Sequence, residues 1–309
     1  MLPSPLILAL QEISKIYHFD VLRKKALEIS EVYRLAERTG TRLVTDKASV
    51  FSYALTRMPA TFEVVNRVLE FIPEQSYTSV LDVGAGTGAA TWAFLAKKDI
   101  HQAVCLEREP EMLRMGADLM ENAFPFVEWK LFDLVNDDMK ENADIVLTSY
   151  VLNELAPSER LKAVDKLWNV SNKVLVVIDN GTPEAFEMMK KIRTYLIEKG
   201  AFLVAPCSHD KVCQNNWCHF STRVQRTKEH KDLKNAQAPY EDEKFTYLIF
   251  SKTFQKCCNA RILRHPKIEK GKITFQLCTS QGITEQIISK KDKELFKKAK
   301  KLKTGDVLI

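Results

Sequence analysis

No apolar run in this sequence approaches the roughly 18 residues of a membrane-spanning helix, so an integral helical membrane protein is not expected. The opening stretch, MLPSPLILALQEI, has no basic segment before its short apolar run and lacks the Arg/Ser richness of a transit peptide. It therefore predicts neither a secretory nor an import signal, and a cytoplasmic location. Seven cysteines is an odd number and comes with no secretory leader, which argues against a disulfide framework. With 10 glycines and 11 prolines among 309 residues, collagen-like and low-complexity classes are excluded, and there is no internal repeat. Net charge is also scarce: the formal +6 is too small by itself to mark a nucleic-acid binder. That excess is local, because residues 290–303 hold eight lysines against Asp292 and Glu294.

What is present is about two domains' worth of chain with the 45% hydrophobic and 28% charged balance of a globular protein. Residues 1–72 carry apolar positions at three- and four-residue spacing (ALEISEVYRLAER, TFEVVNRVLEFI) and predict a helical N-terminal region. From Ser79 short apolar runs alternate with helical stretches. The runs are SVLDVGA, QAVCLER, FVEWKLFD, ADIVLTSYV, KVLVVIDN, AFLVAP and FTYLIFSK. Such alternation predicts an α/β fold with a seven-stranded, doubly wound, mostly parallel sheet. Residues 73–206 with 246–255 would form that domain. Residues 207–245 would be a cysteine-bearing insertion between strands 6 and 7, and 256–309 a small β extension with a basic tail. In that extension RILRHPK and GKITFQLCT predict two strands, and Ile288, Leu295, Ala299 and Leu302 predict one face of a tail helix.

The segment LDVGAGTGAATWAF runs from a β-branched strand directly into a helix. Gly84, Gly86 and Gly88 let the backbone turn tightly against a ligand, and the helix start offers free N–H groups. A dinucleotide fits this turn loosely through Gly84, Gly86 and Ala89, with Glu107 as the later acid. S-adenosylmethionine fits more directly: Asp82 and the three glycines form the turn, Glu107 is placed for the ribose hydroxyls, and Asp133 for the adenine amino group. Residues 79–252 thereby resemble the class I S-adenosylmethionine-dependent methyltransferases. The resemblance implies strand order 3-2-1-4-5-7-6 with the last strand antiparallel. After the fourth strand stands SYVLNEL, without the [DNS]-P-P-[FYW] of amino-group nucleobase enzymes. Asn153 and Glu154 are the pocket candidates there, or they simply end the strand.

Cys207, Cys213 and Cys218 are spaced C-x5-C-x4-C among polar residues, a setting that suits metal ligands or reactive thiols better than core packing. A fourth ligand must come from elsewhere. Cys278 is the best candidate, Cys257 or Cys258 is an alternative, and His209 and His219 are others; Cys105 belongs to the core. Four thiolates suit zinc or an iron–sulfur cluster. Together APCSHDKVC, WCHFSTRVQR, RILRHPK, FQLCTSQG and KLKTGD resemble the methyltransferase-like assembly factors of the mitochondrial small ribosomal subunit and their bacterial relatives. That resemblance implies a 4Fe–4S cluster on Cys207, Cys213, Cys218 and Cys278, binding to small-subunit rRNA, and a mitochondrial location in a eukaryotic source.

Basic segments supply candidate RNA contacts: Arg223 and Arg226 after the cysteine loop, Arg261 and Arg264 on the next strand, and Lys297, Lys298, Lys300 and Lys301 in the tail. The expected protein is a monomer off the ribosome that acts in ribosome maturation or translation, with no membrane partner. It would be either an rRNA methyltransferase or a non-catalytic assembly factor that keeps the fold as a scaffold. A small-molecule methyltransferase with a structural zinc site is the remaining alternative.

Overall fold

The computed structural model describes residues 2–32, 44, 46–215, 217–255 and 258–308. In chain order its helices are α1 (Ser4–Ser14), α2 (Phe19–Val32), α3 (Lys47–Thr56), α4 (Met58–Val68), α5 (Ala89–Leu95), α6 (Pro110–Met120), α7 (Pro157–Val170), α8 (Pro183–Glu198), α9 (Lys228–Leu233) and α10 (Lys293–Ala299). Its strands are β1 (Ser79–Val83), β2 (Gln102–Glu107), β3 (Val127–Leu131), β4 (Ala143–Ser149), β5 (Ser171–Asn180), β6 (Phe202–Ala205), β7 (Phe220–Gln225), β8 (Tyr240–Ser251), β9 (Ala260–Ile262), β10 (Lys267–Glu269), β11 (Lys272–Thr279) and β12 (Gly282–Ser289). The residues group into two compact units.

The first unit comprises Met1–Glu70, Glu74–Asp179 and Thr222–Glu243. Its strands run parallel in the order β3-β2-β1-β4-β5, with Val80 facing Ala103 on one side and Ile145 on the other. Strands covered on both faces are mostly apolar. Accordingly Ala143 to Thr148 of β4 are all buried, whereas edge strand β3 leaves Leu131 65% exposed. α3 packs on α6 and α9, and α4 on α5, so the N-terminal helices share this unit's core.

The second unit comprises Phe71–Pro73, Asn180–Ser221 and Lys244–Ile309. In it β6 pairs antiparallel with β8. The parallel 3-2-1-4-5 run and this antiparallel pair are the strand arrangement of the class I methyltransferase fold. All seven expected strands form.

Three expectations change. The interval 207–245 contains a strand and a helix, β7 and α9, and divides between the two units rather than forming one insertion. The C-terminal extension is a four-stranded antiparallel sheet (β9–β12) rather than two strands. Ile288 lies in β12, 3% exposed, and not on the tail helix. It joins Ile262, Ile273, Phe275, Leu277, Phe296 and Ala299 in one core, against which Leu295 and Leu302 pack.

Candidate functional site

Two cavities hold the sequence-predicted residues, one in each unit. The first lies at the ends of β1, β2 and β4. Its lining includes Gly84, Gly86, Glu107, Asp133, Tyr150 and Glu154, with Tyr53 from α3. Gly84, Gly86 and Gly88 all adopt left-handed backbone, with φ of 73°, 57° and 80°. At Gly84 a Cβ would stand 2.2 Å from Val151, so only glycine fits. At Gly86 a Cβ would meet nothing within 4 Å, so this peptide faces open space where a ligand could approach.

Of the carboxylates near the turn, Glu107 holds the turn itself. Glu107 accepts from Gly86 N (2.7 Å) through one oxygen and from Glu109 N (2.8 Å) through the other. Burial pushes its pKa up, against the pull of those N–H groups. Asp133 is held below the ordinary carboxylate range: burial pushes up, but hydrogen bonds from Val135 N and from Asn136 outweigh it. Asp82 does not line the cavity. It is 0% exposed and accepts from Thr91 N (3.2 Å) and Thr91 Oγ1 (2.8 Å) at the start of α5. Its Oδ1 is buried without a partner, and burial lifts its pKa to about 7.

Gly88 and Asn153 also lie outside the lining. Asn153 N donates to Asp179 (3.2 Å), and its Oδ1 is buried without a partner. Tyr150, in the segment after β4, had no recognisable signal in the sequence. It adopts φ 62°, unusual for a bulky residue, and its buried hydroxyl has no partner.

The second cavity, about 120 Å³, is lined by all four proposed cysteine ligands: Cys207, Cys213, Cys218 and Cys278. Burial pushes Cys207 up to about 12 despite the opposing pull of Arg193, with Cys278 and Cys213 adding to the rise. Burial raises Cys218 well above the ordinary value, and Cys207, Cys213 and Cys278 add to it. Burial likewise raises Cys278. Among the described residues no group of three or more His, Cys, Asp or Glu side chains is gathered closely enough to hold a metal ion.

Of the alternative ligands, His209 lines the cavity. His219 instead stacks on Trp217 (4.1 Å between ring centres), and burial, with Arg264, pushes it down to about 4. Cys258 lies outside this cavity, 3.3 Å from Ser208 Oγ, and Cys257 falls outside the described residues. Cys105 is 0% exposed in the core.

The arginine candidates for RNA contact are largely engaged. Arg261 is 2% exposed and donates to Pro206 O and Gly305 O, so it is not available as an RNA contact in this arrangement. Arg226 pairs with Glu241, and Arg223 pairs with Asp242 while lying over Tyr240. Arg264 donates to Trp217 O (2.6 Å). Lys297, Lys298, Lys300 and Lys301 are exposed on and just after α10. Among the described residues no helix is long and apolar enough to cross a membrane.

Known proteins are similar to this chain. The family profile described as "Mitochondrial small ribosomal subunit Rsm22" matches residues 47–309. The sequence is 25% identical over 193 residues to the Homo sapiens "Ribosome assembly protein METTL17, mitochondrial", covering 55% of this chain and 42% of that protein. It is 27% identical over 199 residues to the Schizosaccharomyces pombe "Rsm22-cox11 tandem protein 2, mitochondrial", covering 56% of this chain and 26% of that protein. The matched stretches are thus less than half the length of these relatives. Among solved structures, a SAM-dependent methyltransferase from Aquifex aeolicus superposes with TM-score 0.45 at 15% identity, covering 67% of this chain and 99% of that one.

Proposed function

The chain belongs to the Rsm22 family, and from that premise we propose that it acts on the small ribosomal subunit during assembly, in the compartment where that ribosome is built. The observation that carries this is the family match over residues 47–309, which spans both cavities. The printed name of the Homo sapiens relative, a ribosome assembly protein, points to the same process. The exposed lysines of the tail supply the phosphate contacts such binding needs. The test is a ribosome profile of cells depleted of this protein. A deficit of mature small subunits with large subunits unchanged supports the proposal, and an unaltered profile refutes it.

Two groups fit the cavities. S-adenosylmethionine suits the first: Gly86 leaves open space, and Glu107 and Asp133 place carboxylates at the ends of β2 and β3. Glu107 would take the ribose hydroxyls with its remaining lone pairs, and Asp133 the adenine amino group. When bound, this group supplies a methyl carried on a sulfonium. Glu107 shapes the glycine turn through Gly86, and Asp82 anchors the start of α5 through Thr91. One observation favours the scaffold reading over methyl transfer. Asp82, the acid that precedes the glycine turn, lies outside the cavity and already accepts two hydrogen bonds from Thr91.

A 4Fe–4S cluster suits the second cavity, held by Cys207, Cys213, Cys218 and Cys278. The donor set is four half-buried thiols around one cavity. Zinc would draw its ligands to about 2.3 Å from a single point. Four thiols and no carboxylate in the lining are the soft donor set that iron–sulfur clusters use.

A further inference from the structure

The cysteine cavity carries an unbalanced charge. Its lining includes Lys190, Arg193, Lys211 and Arg261 and no carboxylate; Lys190 is paired with Glu187 (2.7 Å), which leaves the arginines as the buried excess. Arg193, on α8, is 3% exposed. One of its terminal nitrogens donates to His209 O (2.6 Å), while its Nε is buried without a partner. Arg261 donates to Pro206 O (2.9 Å) and Gly305 O (2.9 Å). Arg264 donates to Trp217 O (2.6 Å) and acts by charge on the Cys218 thiol.

Each of these three side chains grips the backbone one or two residues from a cysteine: Arg193 and Arg261 on either side of Cys207, and Arg264 next to Cys218. None forms an ion pair with an acidic side chain among the described residues. Arg193 and Arg261 are buried, whereas Arg264 is half-buried outside the lining; a buried guanidinium without a counter-anion is strongly disfavoured, and buried charges are accordingly found paired. Among the described lining residues the groups that most readily become anionic are the thiols.

We propose that Arg193, backed by Arg261 and Arg264, is the counter-charge of an anionic metal–thiolate group on Cys207, Cys213, Cys218 and Cys278, and that it sets the reduction potential of that group. This rests on the cluster reading above. Four thiolates outweigh the positive charge of an iron–sulfide core, so the group is anionic. One electron from an external one-electron donor makes it more negative by one charge, and no proton moves to or from Arg193. A fixed cation beside the group favours the reduced form, so removing that cation lowers the midpoint. Arg193 is a positioning residue here: it orients the Cys207 segment and supplies charge without being a ligand.

The test uses the full chain reconstituted anaerobically with ferrous iron and sulfide, as wild type, Arg193→Gln and Arg193→Lys. Iron and sulfide content is measured first, then the midpoint by dithionite titration with mediators. The expected result is equal loading, with reduction of Arg193→Gln about tenfold less favourable, or about 59 mV lower for a one-electron couple. Arg193→Lys should stay near wild type. A loaded Arg193→Gln with an unmoved midpoint overturns this inference and leaves the cluster reading intact. If Arg193→Gln fails to load while Arg193→Lys loads, the charge is needed for assembly, which supports the inference. If neither loads, the shape of the guanidinium is what matters and the inference fails. Wild type without iron and sulfide overturns the cluster reading, and this inference with it.

Discussion

Asp82 and Gly86 sit four residues apart and stabilise different things. Asp82 has its folded-state pKa raised from the ordinary 3.8 to about 7, chiefly by burial. A raised folded value means that its contribution to stability is complete below about pH 4 and is lost as pH rises through about 7. Thermal unfolding measured from pH 4 to 7.5 should therefore show wild type losing a few kcal/mol relative to Asp82→Asn. Parallel curves for the two proteins would refute this. Gly86 works on the ligand side. Gly86→Ala adds a left-handed strain of about 1–2 kcal/mol and places a methyl in the open face of the cavity. Calorimetric titration with S-adenosylmethionine should show at least tenfold weaker binding, with only a small loss of melting temperature. Equal affinity would mean that the ligand does not approach this peptide. The glycines were legible in the sequence because left-handed turns demand them. Tyr150 and Arg193 were not, since an unpartnered hydroxyl and an unpaired buried guanidinium are known only from their surroundings.

Elements announced themselves in the sequence to the degree that burial constrained them. β4 and β5 bury most of their residues and carry the apolar runs Ile145–Leu147 and Val174–Ile178, as parallel central strands tend to. β12 gave no such signal. Ile283 and Ile287 point outward, 46% and 60% exposed, and only Ile288 near its end turns into the core. Seen without its partner strand, Ile288 falls in helical register with Leu295, Ala299 and Leu302. β7 and α9 were hidden for a similar reason: most of their residues are polar, and their order comes from pairing of β7 with β8 and from the Thr227 cap on α9. The C-terminal sheet depends on a small core in which Phe296 is 7% exposed. Phe296→Ala should cost about 3–5 kcal/mol. Hydrogen exchange should then show weakened protection in β9, β11 and β12. Unchanged protection there would mean that α10 does not hold the sheet.

For the whole molecule, the mild +6 of the sequence resolves into an exposed cationic helix, while most of the arginines expected beside it are engaged elsewhere. Neutralising Lys297, Lys298, Lys300 and Lys301 to Gln should weaken small-subunit binding. It should also flatten its salt dependence, by about 0.7–0.9 in log–log slope for each phosphate left without its lysine. An unchanged slope would place the RNA-binding residues elsewhere. The fold, the glycine turn and the four cysteines were legible because each is written in local spacing. The service of Arg261 to the backbone at Pro206 and Gly305, 55 and 44 residues away, was not, because it exists only once the chain has folded.

The most direct measurement is sucrose-gradient co-sedimentation of the chain with purified small ribosomal subunits at moderate salt. It should be run for the anaerobically reconstituted protein and for Cys278→Ser. The reconstituted chain should travel with the small subunit, and Cys278→Ser should lose most of that association. A reconstituted chain that stays at the top of the gradient would contradict the account.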